Sequence, residues 1–135
     1  MSSLTLGKQE RLSSKKQIDL LFQHGSTFQV PSFRILWLKD GPADESTFQI
    51  LFSISKRTFP KAVDRNRIRR LMRESFRLQK ALLLDFLQNT DRRCLIAIIF
   101  VGREIPGFTQ MKSKINVALQ RLIREMEHNT SIGSN

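Results

Sequence analysis

A chain of 135 residues, 40% of them hydrophobic and 26% charged, is long enough to bury one core and reads as a single domain over residues 1–135, ordered from about 9 to 128 with flexible ends. Lysine and arginine total 23 against 12 acidic residues, and the net charge of +11 points to a polyanionic partner, nucleic acid ahead of a membrane surface. The single cysteine, Cys94, excludes an internal disulfide. No apolar run reaches the roughly 18 residues of a membrane span, and "MSSLTLGKQERLSSKK" lacks the apolar block of a secretory signal, so the expected setting is the cytoplasm, without a membrane partner.

In chain order, "SKKQIDLLFQHG" predicts a helix over residues 14–25, with Ser13 or Ser14 as cap and Gly25 as a left-handed stop. Ile18, Leu21 and Phe22 form its apolar stripe. Residues 31–41 alternate through Phe33, Ile35 and Trp37, and residues 47–55 through Phe48, Ile50, Phe52 and Ile54. The turn-rich "DGPADES" between them predicts an antiparallel hairpin with one apolar face. Its other face carries Arg34, Leu36, Gln49, Leu51, Ser53 and Ser55, and partial cover by the first helix would leave a groove there. A long helix is expected over 64–87, a strand buried on both faces over 93–102, and an amphipathic helix over 109–127. The α-β-β-α-β-α order defines an α+β sandwich with a small mixed sheet, of about four strands, and a basic crossover helix.

That helix carries the charge anomaly. At about 100° per residue, Arg65, Asn66, Arg69, Arg70, Arg73 and Arg77 fall within about 0–140° of arc, while Ile68, Leu71, Met72, Ser75, Leu78 and Leu82 fall within about 220–340°. Arg67 and Phe76 mark the seams. A solvated helix face ordinarily alternates sign, but here Arg69, Arg73 and Arg77 stack at i, i+4, i+8. With Lys56, Arg57 and Lys61 upstream, residues 56–77 hold nine basic and two acidic side chains. Arginine forks match phosphate oxygens in pairs, so this face reads as a phosphate-binding surface. A half-apolar groove beside it suits unpaired RNA better than duplex DNA, with Phe22 as a candidate ring or wall.

The stretch "SISKRTFPKAVDRNRIRRLMRESFR", residues 53–77, resembles the signature of the bacterial ribonuclease P protein component. Ala62, Arg65, Asn66, Arg67, Ile68, Arg69, Arg70 and Arg73 match that pattern in order, and the resemblance covers roughly residues 10–126. It implies a left-handed crossover through the basic helix, and a role in removing the 5′ leader of precursor tRNA. It further implies a catalytic RNA subunit that holds the Mg²⁺ ions, with no protein partner required. On this resemblance Arg65, Asn66, Arg67, Arg69, Arg70 and Arg73 face the RNA subunit, and Lys56, Ser55, Phe22 and Leu36 lie in or near the leader groove. The charge run adds Lys56, Arg57, Lys61 and Arg77 to the RNA-binding residues, and Ile18, Arg34 and Ser53 complete the expected groove. Ile18 and Leu36 stand where members often carry aromatic residues, and "RTFPK" is one residue longer than in many members.

A protein-only nuclease is not expected. His24 closes a helix and His128 lies near a frayed end, so both read as surface residues; no His or Cys pair has metal-ligand spacing, and Cys94 opens a buried strand. The alternatives are a non-catalytic RNA-binding protein of ribosomal or chaperone type, or a DNA-binding regulator, which the absence of a helix-turn-helix pair disfavours.

Overall fold

The computed structural model describes residues 7–39, 41 and 47–133, with side chains up to residue 128. Three strands and a helix precede the basic segment: α1 (Lys15–His24), β1 (Ser26–Val30), β2 (Phe33–Lys39) and β3 (Phe48–Ile54). Two further helices, α2 (Ala62–Arg77) and α3 (Lys80–Asn89), lead to β4 (Cys94–Phe100) and α4 (Phe108–Gly133). The strands form one mixed sheet in the order β1-β2-β4-β3, an α+β architecture as expected.

The antiparallel hairpin expected between 31–41 and 47–55 does not form. β4 lies between them, antiparallel to β2 and parallel to β3. The reason is burial: "CLIAIIF" is apolar at every position, and six of its seven residues are buried, so it takes the position with a neighbour on each edge. The actual hairpin joins β1 to β2 through Pro31 and Ser32, Ser32 having φ 73°. A proline followed by a positive-φ residue is the pattern of a type II turn. Strand β1 is absent from the sequence reading because only Phe28 of its five residues is buried. Most of "DGPADES" lies outside the described residues.

Each face of the sheet has its own cover. Phe33, Ile35 and Trp37 of β2, the even positions of β3 and those of β4 pack with Ile68, Met72 and Phe76 of α2, Leu83 and Leu87 of α3, and the apolar arc of α4. On the opposite face Leu36, Leu95 and Ala97 pack with Leu12 and with Leu21 of α1. Ser14 caps α1 by accepting the Gln17 N–H at 3.4 Å. Gly25 closes the helix with φ −70°, not in the left-handed region. Space is what demands glycine here: a Cβ would stand 2.5 Å from the Leu21 carbonyl oxygen and 3.1 Å from that of Trp37.

The helix expected over 64–87 is two helices. The chain breaks at Gln79, whose amide donates to the carbonyls of Ser75 (3.1 Å) and Lys112 (2.9 Å) and accepts from Asn116 of α4 (2.8 Å). Neither Gly nor Pro marks this break; a tertiary contact makes it. Leu78 and Leu82, expected in the core stripe, are exposed: the buried arc of α2 runs through Ile68, Met72, Ser75 and Phe76 and leaves Leu78 off it, and Leu82 lies beyond the break. Phe76, expected at a seam, is fully buried edge-on against Phe48 and Phe52.

The segment before α1 is also built in. A 3₁₀ turn over Lys8–Glu10 leads to Arg11, which bridges Ile50 in parallel, and the Leu12 N–H donates to the Ile50 carbonyl at 2.9 Å. This strap runs beside β3 on the side away from β4.

Candidate nucleic-acid interface

The buried arc of α2, through Ile68, Met72, Ser75 and Phe76, leaves its polar residues on the outer side. Asn66, Arg67 and Arg70 are exposed, while Arg65, Arg69, Arg73 and Arg77 are half-buried along the flanks of the arc. Arg69 donates to the Asn66 side-chain oxygen at 3.1 Å. Arg77 grips Glu74 with two bonds, Nε to Oε2 at 2.8 Å and Nη2 to Oε1 at 2.6 Å. That contact holds the Glu74 carboxyl below its usual range. Arg73 is pushed the other way for a base: partial burial, then the like charges of Arg11 and Arg69, lower its pKa from the ordinary arginine value.

Arg65 has a second use. Its Nη1 donates to the carbonyls of Phe59 (2.9 Å) and Pro60 (2.8 Å), tying the loop after β3 to the first turn of α2. The loop is shaped by Ser55, whose Oγ accepts the N–H groups of Arg57 (3.2 Å) and Thr58 (3.4 Å). Phe59 is buried and its ring lies 6.0 Å from that of Phe100, so the loop is anchored at both ends. Lys56, Arg57 and Lys61 remain exposed around it.

The groove residues lie on the opposite face of the sheet. There α1 starts beside Ile50, through Leu12, and ends beside Trp37, so it runs across the strands and leaves part of the face open. The open strip is the row Ser53, Ile99, Arg34 and Gln29, consecutive partners across the sheet. Arg34 and Gln29 are exposed, Ser53 and Ile99 half-buried, and Ile18 of α1 is half-buried in the cluster beneath. Leu36 is 4% exposed and is packed floor, not a wall open to a ligand. Phe22 stands out from α1, 47% exposed. Ser55 belongs to the loop at the end of β3, between the two faces.

Four residues of these surfaces, Gln29, Ile99, Arg11 and Phe108, are missing from the sequence reading, Gln29 because β1 itself is. Ile99 enters the strip because β4 lies between β2 and β3. Arg11 and Phe108 join Arg70, Leu71, Arg73, Glu74 and Arg77 around an open cleft of about 540 Å³ over α2. No local spacing connects residues 11, 70 and 108, so nothing in the sequence announces this cluster.

Other chemistry is absent from the described residues. No group of three His, Cys, Asp or Glu side chains is placed to hold a metal ion, and no helix is long and apolar enough to cross a membrane. Burial pushes the Cys94 thiol far above its usual range, where it is no nucleophile.

A mixed four-stranded sheet with an arginine-faced helix on one side and a half-covered strip on the other defines an α+β domain with a polyanion-binding surface. The family described as Ribonuclease P matches residues 6–123. A ribonuclease P protein component from Porphyromonas gingivalis is 34% identical over 117 residues, covering 87% of this chain and 85% of its own. One from Chlorobaculum tepidum is 28% identical over 127 residues, covering 87% and 82%. Among solved structures, the RNase P protein from Thermotoga maritima superposes with a TM-score of 0.65 at 24% identity, covering 83% of this chain and 96% of that one. The Staphylococcus aureus RNase P protein gives 0.65 at 18% identity, covering 84% and 94%; both structures share the fold. The chain belongs to the ribonuclease P protein component family. Membership places it in the protein part of a tRNA-processing ribonucleoprotein, an endoribonuclease complex with an RNA partner.

Proposed function

We propose that the outer face of α2 docks this protein on the ribonuclease P RNA and that the strip beneath α1 receives the 5′ leader of precursor tRNA. The observation that carries the reading is Arg70 and Arg73. They belong to the family's ordered motif, and among the described residues neither has an acidic or hydrogen-bonding partner. Such a surface is incomplete without an anion. Arg34 and Phe22 supply a cation and a ring to the strip on the far side of the sheet, and the sheet keeps the two contacts apart.

Hydrolysis is assigned to the RNA subunit and its Mg²⁺ ions. The carboxylates of α2 do not suit an ion, since Glu74 is engaged by Arg77 and Asp64, in the first turn, belongs to no group of metal-ligating side chains among the described residues. The protein's own part is electrostatic: it neutralises backbone charge between RNA subunit and substrate, and orients the leader. Reconstitution with the cognate ribonuclease P RNA at low Mg²⁺ tests this. Precursor tRNA cleavage should accelerate on adding the protein. An unchanged rate would leave a non-catalytic RNA-binding protein as the reading.

A further inference from the structure

The cleft over α2 differs from the rest of the arginine face in what surrounds it. Arg70, Leu71, Arg73, Glu74 and Arg77 come from one helix, but Arg11 comes from the strap before α1 and Phe108 from the first turn of α4. Its volume, about 540 Å³, lies within the roughly 300–1,000 Å³ usual for small-ligand sites.

Charge in the cleft is unbalanced in a specific way. Arg77 takes up the one carboxylate through two bonds of 2.8 and 2.6 Å. Among the described residues, the side chains of Arg11, Arg70 and Arg73 have no hydrogen-bonding or ion-pair partner. Partial burial disfavours the charge on Arg73 most, and the like charges of Arg11 and then Arg69 add to it, so the fold holds like charges together at a cost.

Arg11 is not free to swing away. The Leu12 N–H bonds the Ile50 carbonyl at 2.9 Å on one side, and on the other the Glu10 carboxylate meets the buried Lys80 ammonium at 2.8 Å. The backbone of Arg11 is thus clamped where its guanidinium adds to those of α2. Three guanidinium groups around one cleft match the non-bridging oxygens of a phosphate.

Phe108 adds a different chemistry. It is 40% exposed; Val117 further along α4 is exposed as well, but of the two only Phe108 lines the cleft, which it shares with Leu71. A half-exposed ring beside phosphate-matching cations is the pairing that binds an unpaired base, since a base within a duplex does not present its face.

We propose that Arg11, Arg70, Arg73 and Phe108 form a subsite for one unpaired nucleotide of RNA, the arginines taking its phosphate and Phe108 its base. This rests on the reading of α2 as an RNA surface, and it adds to that reading a requirement for a single-stranded nucleotide at one defined place. Arg11 and Phe108, from outside the basic helix, are what set it apart from a smooth cationic face.

The test uses the full chain with two probes, hexauridylate and an abasic ribose-phosphate hexamer of the same charge. Phe108→Leu should weaken hexauridylate binding roughly 5- to 100-fold and leave the abasic hexamer unchanged. Arg11→Gln should weaken both probes and reduce the log–log salt slope by about one. In the wild-type protein, hexauridylate but not the abasic hexamer should shift the Phe108 ring protons upfield, a readout independent of any variant's stability. Equal effects of Phe108→Leu on both probes, or a ring signal that neither probe moves, would overturn the subsite. The low-Mg²⁺ cleavage assay with wild-type protein reports separately on the ribonuclease P reading, so either can fail while the other stands.

Discussion

Lys80 Nζ lies 2.8 Å from Glu10 Oε1 across 70 residues of chain, and Lys80 is only 3% exposed. The pair fastens the strap before α1 to α3. Removing the carboxylate takes away the anion facing a buried ammonium, which costs more than a surface pair would. Glu10→Gln and Lys80→Met should each destabilise the protein, and the double variant should lose less than the two combined. The coupling energy expected from urea unfolding is roughly 1–3 kcal/mol. A coupling near zero would show that the pair does not hold the strap.

Arg65 and Arg70 stand on one helix with different duties. Arg65 spans the carbonyls of Phe59 and Pro60, whereas Arg70 is exposed without such a contact. Arg65→Ala should lose about 1–2 kcal/mol of stability, and Arg70→Ala should stay within about 0.5 kcal/mol. Both should weaken RNA binding. Chemical denaturation of the free proteins separates the two, since only Arg65 shapes the loop.

Arg73 should show opposite effects on stability and affinity. Partial burial lowers its pKa most, and the like charges of Arg11 and then Arg69 add to it. Because the folded state lowers its pKa, the charged form is disfavoured at every pH below the ordinary arginine range, neutral pH included. Arg73→Gln should therefore stabilise the free protein by about 0.2–0.5 kcal/mol per relieved pair. The same change should weaken RNA binding and flatten a salt dependence expected near a log–log slope of −4 to −5 by about one unit. A loss of stability in this variant would contradict the electrostatic account.

Glu74 gives a pH dependence of defined sign. The bond from Arg77 depresses its folded-state pKa, so its contribution is present above the ordinary carboxylate range and is lost as pH falls through the folded value. Thermal midpoints of wild type and Glu74→Gln should differ at neutral pH and converge in acid. A difference that persists below the carboxylate range would point to packing instead.

Gly25→Ala should destabilise by about 1–3 kcal/mol. A Cβ would meet the Leu21 Cδ1 at 3.0 Å, but also the backbone carbonyl oxygens of Leu21 at 2.5 Å and Trp37 at 3.1 Å, which do not move aside as a side-chain end does. Since φ is ordinary at −70°, the loss comes from crowding and not from backbone strain. Thermal unfolding of the variant measures it.

The buried strand 93–102, the capped first helix and the apolar arc of the last were legible because each is a local pattern: a continuous β-branched run, a serine before a helical stripe, a 3.6-residue period. Strand β1 was not, because its one buried residue, Phe28, carries too little pattern. The break at Gln79 was not legible either, because its hydrogen-bond partners on α4 lie 33 and 37 residues away. The phase of α2 is a second tertiary outcome: Phe76 turns to the core because it packs on Phe48 and Phe52 of β3, and the buried arc through Ile68, Met72, Ser75 and Phe76 leaves Leu78 in solvent.

Legible along the chain were the charge, its concentration between residues 56 and 77, and the ordered run from Ala62 to Arg73 that resembles the family's signature. These are properties of composition and spacing along one helix. Only the tertiary structure decided that the arginine face and the half-covered strip lie on opposite sides of one sheet. It also decided that Arg11 and Phe108 meet over α2. Both follow from how β4 and the strap pack against β3, contacts between distant segments whose energy lies in burial and backbone pairing rather than in any local run of residues.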